Sequence, residues 1–417
     1  MPVRTGLATL VFRVYLPFAL AYFLSYLFRT VNAAISPNLT RELKLDAADL
    51  GLLTGTYFVT FALSQIPLGM MLDRFGPRRA HAALVLIGAG GALLFGLGTS
   101  IGSLALGRAL IGMGMAGGLM AAMKAISLWF PQHRWALING LHMAFGGLGA
   151  IFATKPVQLA MTFTDWRGVF VGLAAITAGV AALLFLAVPE KPGTEVKSTL
   201  GEAFGGVVSV FKSATFWRLA PGATFSLGGF LAVQGLWSGP WLRDVAGFDN
   251  ATTSSYLLAI AAAMAIGYLT SGMVSAALAR MGISPLRTLY LMHIAFILCQ
   301  VPLVSGWVPS VIAVWVLYGY FGVGTVLTFP LLAQAFPLAL GGRAITCLNM
   351  LMFSAAFGWQ YGIGLVLDLW PRAASGAYPA AAYQAALGVV LAANVLAVVW
   401  LFMPRRQPPH QAQAAAD

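Results

Sequence analysis

Twelve long apolar stretches, separated by mostly short polar segments, follow one another along the chain. A helix needs about 20 apolar residues to cross a bilayer, and each of these stretches has about that length. They lie at residues 12–36, 48–72, 79–99, 103–126, 135–158, 166–189, 218–241, 252–277, 288–305, 308–333, 344–368 and 381–403. The pattern therefore predicts an all-α polytopic membrane protein with twelve transmembrane helices.

One longer polar segment, residues 190–217, interrupts this series after the sixth predicted span. It includes Pro192 and Gly193 and several Glu and Lys residues. The Arg-x-Gly triplet at residues 74–76 recurs at residues 280–282, which indicates an internal repeat. We therefore expect pseudo-two-fold symmetry between two halves. The predicted parts are an N-terminal six-helix bundle at 1–189, a cytoplasmic linker at 190–217, a C-terminal six-helix bundle at 218–403 and a disordered cytoplasmic tail at 404–417.

The composition supports a membrane protein and excludes several other classes. The 417 residues are 59% hydrophobic and 9% charged, whereas a soluble domain carries about 25% charged residues. Cys299 and Cys347 lie in apolar stretches, so no disulfide framework is indicated. The net charge of +12 is spread over short loops, so we predict no nucleic-acid partner. We expect a monomer whose partners are the lipid bilayer and a small molecule.

The distribution of Lys and Arg predicts the orientation of the spans. If both termini are cytoplasmic, fifteen Lys and Arg residues fall on the cytoplasmic side and five on the other side. Cytoplasmic loops of membrane proteins are enriched in these residues. We therefore expect a multi-pass protein of the inner (cytoplasmic) membrane, with both termini in the cytoplasm.

The loop after the second predicted span carries a distinctive run of glycine and charged residues. Residues 69–79 read Gly-Met-Met-Leu-Asp-Arg-Phe-Gly-Pro-Arg-Arg. This run resembles the signature of the major facilitator superfamily, Gly-x-x-x-Asp-Arg-x-Gly-x-Arg-Arg, at every fixed position. A positive-inside anchor alone would explain the arginines but not the aspartate and glycines. The resemblance implies two six-helix bundles that transport a solute by alternating access, with a conformational latch formed by Gly69, Asp73, Arg74, Gly76, Arg78 and Arg79.

Four cationic residues lie within predicted spans, whereas none of the 12 acidic residues lies near a span centre. These cations are Arg29, Arg108, Lys124 and Lys155. Because a charge at the bilayer centre costs several kcal/mol, each is a candidate functional residue. An excess of buried positive charge favours an anionic substrate. It argues against an exporter of organic cations, whose pocket would need a buried acid.

The first predicted span places Arg29 on the same helix face as Tyr22 and Tyr26, because a helix turns about 100° per residue. Arg29, followed eight positions later by Pro37, resembles the first-helix pattern of the organophosphate:phosphate antiporters and anion:cation symporters. In those branches such an arginine binds the phosphate or carboxylate of the substrate. A guanidinium suits this task because it stays charged and grips an oxyanion bidentately. The alternative is that Arg29 bonds to helix carbonyls.

The other three cations have less certain assignments from the sequence. The resemblance suggests Arg108 as a second positive group for the substrate, and the alternative is a helix-packing role. Lys124 lies on another face of the same span, so we expect it to snorkel towards the cytoplasmic interface. Lys155 lies near the outer end of the fifth span, and its two possible roles are to line the outer mouth of the cavity or to snorkel to the interface.

The C-terminal half offers uncharged polar and aromatic residues grouped on helix faces. Amides and hydroxyls would orient a polar substrate and aromatic rings would pack on its carbon part, although each could instead join neighbouring helices. His142 and His293 are candidates for a proton relay, or simply packing residues. The candidate binding residues in this half are Gln234, Trp237, Trp241, Tyr318, Asn349, Phe353 and Gln360.

The chain departs from the anion:cation symporter pattern where that pattern carries its proton-coupling carboxylates. Phe28 stands before the first-helix arginine, and Met115 stands at the fourth-helix position that holds a glutamate in those symporters. We therefore predict a uniporter, an anion exchanger, or coupling through a histidine.

The sequence thus predicts a transporter of a small organic anion bearing carboxylate or phosphate. It contains no metal-ligand cluster, nucleophile–base pair or phosphate-binding glycine loop, so we expect neither an enzyme nor a metal or cofactor. The alternatives are an efflux pump for amphipathic compounds and a membrane receptor or assembly partner that no longer transports. The identity of the anion, the direction of flux and the coupling ion stay open.

Overall fold

The computed structural model describes residues 7–131, 134–190, 200–307 and 310–403, and every regular element in these ranges is a helix. The predicted tail at 404–417 and residues 191–199 of the predicted linker lie outside the described residues. The remainder of the linker contains a helix that the sequence analysis did not predict, Leu200–Phe211.

The first half contains eight of these helices. They are α1 (Leu7–Leu10), α2 (Leu16–Leu43), α3 (Ala47–Leu97), α4 (Ile101–Met115), α5 (Gly118–Trp129), α6 (Trp135–Phe152), α7 (Lys155–Ala160) and α8 (Trp166–Ala187). The rest of the described chain forms α9 (Leu200–Phe211), α10 (Ala214–Ala232), α11 (Ser238–Asp244), α12 (Asn250–Arg280), α13 (Pro285–Ser305), α14 (Val311–Gly322), α15 (Thr328–Gln334), α16 (Leu338–Leu367) and α17 (Ala380–Phe402).

The helix lengths agree with twelve membrane crossings. Within the described residues, 10 helical stretches are long and apolar enough to span a bilayer. One of them, α3, has 51 residues and bends at Gly76, whose φ of 73° is non-helical, so α3 supplies two crossings. The shorter apolar stretch Leu137–Phe152 in α6 supplies another. The predicted fold class, an all-α protein of twelve spans, is confirmed.

Several spans that the sequence predicts as continuous are interrupted. The fourth span breaks at Ala116 and Gly117 between α4 and α5. The seventh contains a π-turn at Val233–Trp237, and the tenth contains a 3₁₀ turn at Gly324–Leu327. Irregular backbone within a membrane is tolerated where it is buried in protein or lines a cavity. Ala116 and Leu327 both line the central cavity described below.

The two halves are joined most tightly where α3 begins. The Asp368 carboxylate, at the end of α16, accepts hydrogen bonds from the backbone amides of Ala47 (3.2 Å) and Ala48 (2.7 Å). The first amides of a helix lack intrahelical acceptors and form its positive end, so a carboxylate is well placed there. We call this end of the molecule, with Ala47, Ala48, Asp368, Arg372 and Tyr378, the closed end.

Two further side chains complete the closed end. Arg372 donates to the carbonyl of Leu45 (3.2 Å) and to the hydroxyl of Tyr378 (2.7 Å). Tyr378 in turn donates to the Asp368 carboxylate. Burial, followed by this hydrogen bond, raises the pKa of Tyr378 to about 12. The hydroxyl therefore stays protonated near neutral pH and remains a donor to Asp368.

Glycines let the backbones of α3 and α16 touch beneath these hydrogen bonds. A Cβ on Gly364 would lie 2.3 Å from the carbonyl oxygen of Ala47, and one on Gly51 would lie 2.4 Å from that of Gln360. Such close approach is typical of membrane helices, which pack without a hydrophobic drive from water. The contact leaves no room for a side chain at either position.

The opposite end, where the signature loop lies, is held by contacts within the first half. Lys124 pairs with Asp73 at 2.5 Å and also donates to the carbonyl of Leu72. Arg79 pairs with Glu190 at 2.7 Å, and Arg78 donates to the carbonyl of Phe185. We expected Lys124 to snorkel towards the cytoplasmic interface; instead its ammonium group pairs with Asp73, which lies at the end of α3's first crossing beside α5.

We expect Gly364→Ala to open the closed end, because the added methyl group would overlap the Ala47 carbonyl. Gly362→Ala is a matched control on the same helix, since a Cβ there meets nothing within 4 Å. Pulsed EPR distances between spin labels at Arg41 and Ala374, in protein lacking both cysteines, report the opening. Indistinguishable distance distributions for the two variants would contradict the close contact.

We also expect Asp368→Ala to shift the conformational population away from closure at this end. Losing a helix cap costs about 1 kcal/mol, which corresponds to roughly a fivefold change in the population ratio. Asp249→Ala is the control, because Asp249 caps α12 within its own half through the amide of Thr252. The distance between the same two spin labels should lengthen in Asp368→Ala and stay unchanged in Asp249→Ala.

Candidate functional site

A cavity of about 570 Å³ lies between the two halves. One side of its wall is built by α2, α3, the end of α4, α5 and α6, with the break between α4 and α5. The other side is built by α10, α12, α15 and α16, with the 3₁₀ turn. It extends towards the signature-loop end, where Met123, 43% exposed, and Gly140 line it. The cavity thus begins in the middle of the bundle and runs away from the closed end.

Arg29 is the charged residue among the described residues that line this cavity, and it is buried, with 4% of its surface exposed. Its guanidinium carbon lies 4.3 Å from the ring centroid of Tyr26, 5.0 Å from that of Phe353 and 5.4 Å from that of Phe61. Cation–π contacts of this kind stabilise a desolvated cation. They hold the guanidinium in place without cancelling its charge.

The guanidinium has no hydrogen bond to a helix carbonyl and no carboxylate partner within the described part of the chain, and its Nε atom is buried without a partner. Its backbone is fixed by the second half. A Cβ on Gly235 would lie 3.3 Å from the Arg29 carbonyl oxygen, and one on Gly239 would lie 2.8 Å from that of Ala33. The arginine is therefore rigidly mounted, charged and available to an anion.

The cavity brings together Tyr22, Tyr26, Arg29, Asn349 and Phe353 from the predicted binding residues. The remaining lining residues are uncharged, and none of them was among the binding residues predicted from the sequence. It includes the polar residues Ser25, Gln65, Asn139, Tyr268 and Ser271 and the methionines Met115, Met120, Met123, Met143 and Met352. Ser25 could have been found, since it lies one helical turn before Arg29 on the same face.

Arg108 lies outside the cavity lining. It is 0% exposed, donates to the carbonyl of Phe28 at 2.8 Å and lies over the ring of Tyr57. Its contacts tie α4 to the backbone of α2 directly before Arg29. This placement agrees with the helix-packing alternative rather than with a second positive group for the substrate.

Several predicted residues of the second half also lie outside the lining. Trp237 donates to the carbonyl of Gln360 at 3.1 Å, and Trp241 packs on Trp315 with ring centroids 5.3 Å apart. Tyr318 packs against the same tryptophan, and Gln234 and Gln360 are likewise buried outside the lining. The π-turn explains part of this result, since it inserts a residue and so rotates the following helix face by about 100°.

The two histidines have different surroundings. His142 bonds to the carbonyl of Gly118 (3.2 Å), and its ring stacks on that of Tyr22 at 4.3 Å, so it lies directly behind the cavity wall. His293 is hydrogen-bonded to Ser226, which bonds to Asn394, inside the second half and outside the cavity lining. Only His142 of this pair contacts a residue that lines the cavity.

Lys155, whose role the sequence left open, begins α7 and is exposed. His81, which the sequence analysis did not single out, is fully buried and stacks on Phe18. Its two ring nitrogens have no hydrogen-bond partner among the described residues.

Solved structures with a similar fold are transporters. A bacterial homolog of the human lysosomal transporter Spinster, in an inward-facing and occupied conformation, superposes with a TM-score of 0.68 at 20% identity over 93% of each chain. A D-xylose-proton symporter superposes with a TM-score of 0.72 at 14% identity, over 94% of this chain and 97% of that one. At these identities the likeness concerns the fold.

Relatives of known sequence are also transporters. The chain is 27% identical over 243 residues to the "Probable sulfoacetate transporter SauU" of Cupriavidus necator, covering 55% of this chain and 56% of that protein. It is 27% identical over 164 residues to the hexuronate transporter of Escherichia coli (strain K12), covering 39% and 38%. The aligned parts thus span about half of these relatives or less.

The family model described as Major Facilitator Superfamily matches residues 18–359. This match extends from the first span to the eleventh and includes both the signature loop and Arg29. It agrees with the expectation of a transporter rather than an enzyme. The chain belongs to the Major Facilitator Superfamily.

Proposed function

We propose that this protein moves a small organic anion across the inner membrane by alternating access, with Arg29 as the anchor for the anionic group. The observation that carries the proposal is a buried guanidinium in a cavity between the halves, with no carboxylate partner among the described residues. Such a charge is costly within a membrane unless something neutralises it. A substrate carboxylate, sulfonate or phosphate would do so through paired hydrogen bonds.

The names of the relatives support an anion. They include transporters of sulfoacetate, nitrate and nitrite, hexuronate and tartrate, which are all anions but differ in size and in number of charges, so they support negative charge alone. These matches cover 55% of this chain or less. An anionic substrate is therefore part of what we propose for this protein.

Alternating access is supported by the difference between the two ends. At the closed end, hydrogen bonds and glycine contacts join the halves, whereas the cavity extends towards the signature loop. In the predicted orientation the closed end faces outward, so the cavity faces the cytoplasm. Rocking of one half against the other would break the Asp368 contacts and expose Arg29 to the opposite side.

We propose the signature loop as the latch for that motion. Gly76, with a φ of 73°, forms the bend of the loop, whereas Gly69 lies within the helix before it, where a Cβ would meet nothing within 4 Å. Asp73 pairs with Lys124, while Arg78 and Arg79 engage the end of α8 and Glu190 beyond it. Arg74 lies over the ring of Phe75. These contacts brace the first half as a unit, so that it can move as one body.

The charge of the site favours anion exchange over proton-driven uptake. No carboxylate or histidine is among the described residues that line the cavity. An empty carrier would have to reorient with an unneutralised guanidinium in the membrane, whereas a carrier loaded with a monoanion is neutral at the site. Loaded reorientation is therefore expected to be faster.

A second candidate is efflux of amphipathic compounds, which the aromatic and methionine lining of the cavity favours. Competition for binding by neutral amphipaths but not by organic anions would support it. Binding of an anion without any transport in liposomes would instead support the receptor alternative.

We expect Arg29→Gln to abolish anion transport at normal folded yield, because the anchor is lost without breaking a hydrogen bond. Arg108→Gln is the comparison, since it is also a buried arginine within a span. It should lower the melting temperature by leaving the Phe28 carbonyl unpaired, at a cost of about 1–3 kcal/mol, while the folded fraction still binds. Liposome flux and thermal melting measure the two effects. Normal uptake by Arg29→Gln would contradict the assignment of Arg29 as the anchor.

We also expect uptake of labelled benzenesulfonate to require an anion inside the liposome. Vesicles preloaded with unlabelled benzenesulfonate should accumulate label at least about tenfold faster than anion-free vesicles, because every 1.4 kcal/mol of barrier is tenfold in rate. His142→Asn and His293→Asn should retain this exchange. Uptake driven by a pH gradient into anion-free vesicles, and surviving both replacements, would contradict exchange, uniport and histidine coupling together.

A further inference from the structure

Resting on the function proposed above, we propose that the site selects organic anions with a single negative charge and an apolar body. It would discriminate against dianions of the same size and against small anions that lack such a body. The inference comes from the number of charges around the cavity and from the chemistry of its remaining wall.

The cavity offers one positive charge. Among its described lining residues, Arg29 is the cation, and no acid or further base accompanies it. Arg108 keeps its charge, but it is fully buried, donates to the carbonyl of Phe28 and does not line the cavity, so it offers no contact to a substrate there. Lys124 is neutralised by Asp73 at 2.5 Å. A substrate with one negative charge therefore makes the loaded site neutral.

A second anionic group would have no counter-charge in this cavity, because the polar groups that accompany Arg29 are neutral hydroxyls and amides. Much of the remaining wall is formed by Met115, Met120, Met143 and Met352 with neighbouring leucines. An ionised group placed against such a surface loses its hydration without gaining a counter-charge, which is strongly unfavourable. The dianion would either leave that group in the open part of the cavity or bind in fewer orientations.

The apolar wall indicates what the rest of the substrate is. A volume of about 570 Å³ lies within the range of sites that enclose an organic molecule of many atoms. Methionine side chains are flexible and polarizable, so they adapt to carbon skeletons of different shape. The rings of Phe61 and Phe353, with centroids 4.1 Å apart, lie side by side next to the guanidinium and would contact the carbon atoms next to the anionic group.

The experiment compares four probes by calorimetry on the purified full chain in lipid nanodiscs. Benzenesulfonate is a monoanion with a ring, benzene-1,3-disulfonate adds a second charge, methanesulfonate lacks the ring, and benzenesulfonamide lacks the charge. Sulfonates stay ionised at every working pH, so neither protonation nor leakage of a neutral acid enters the comparison. Benzenesulfonate should bind at least about tenfold more tightly than each of the other three, a difference of 1.4 kcal/mol.

Two matched variants test the apolar contact. Met120→Gln changes a cavity residue and should weaken benzenesulfonate binding several-fold while leaving methanesulfonate nearly unchanged. Met273→Gln is the control, because Met273 is 69% exposed and does not line the cavity. It should leave all four affinities as they are.

The outcomes separate this inference from the function on which it rests. Disulfonate binding as tight as benzenesulfonate binding, and still lost in Arg29→Gln, would overturn the single-charge inference and leave anion transport standing. Equal binding of methanesulfonate and benzenesulfonate would overturn the inference that the substrate has an apolar body. If no probe binds in an Arg29-dependent way, the proposed function fails, and this inference fails with it.

Discussion

An unneutralised guanidinium in the middle of a membrane protein is the constraint on which the rest of this structure depends. Arg29 is surrounded by aromatic rings rather than by acids, and its backbone is held by a helix of the opposite half. Rings lower the energy of a cation but leave its field intact. The arrangement therefore keeps a strong electrostatic attraction for anions in a place from which water is largely excluded, and there such attraction is greatest.

The neighbouring charged residues are either paired or placed away from the cavity. Lys124 is neutralised by an aspartate, whereas Arg108 keeps its charge but lies outside the cavity lining, with its guanidinium on the carbonyl of Phe28. At the closed end, Asp368 is occupied by helix amides and by Tyr378, so it does not compete as a counter-ion for the arginine. Arg29 is therefore the positive charge that faces the cavity among its described lining residues.

The sequence predicted the twelve spans, the family and the face of the first helix that carries Tyr22, Tyr26 and Arg29, because hydropathy and helical periodicity determine these features locally. Within the second half, simple periodicity succeeded for Asn349 and Phe353, which follow an unbroken stretch of helix. It selected Trp237 and Trp241 as binding residues, but they lie outside the lining, because they belong to or follow a π-turn that no single-helix pattern reveals. The surroundings of Arg108 and Lys124 depend on which helices become neighbours, and that information is not contained in either span alone.

The long helix α3 has a mechanical consequence. Its first crossing runs from Ala47, whose amide is hydrogen-bonded to the opposite half, to Asp73, which forms an ion pair within its own half. With a rise of 1.5 Å per residue, these two contacts lie roughly 40 Å apart along one helix. A rigid helix held at both ends transmits force along its length, so breaking the contacts at one end changes the force on the contacts at the other. A change on one side of the membrane can thus alter the contacts on the opposite side without passing through the bound solute.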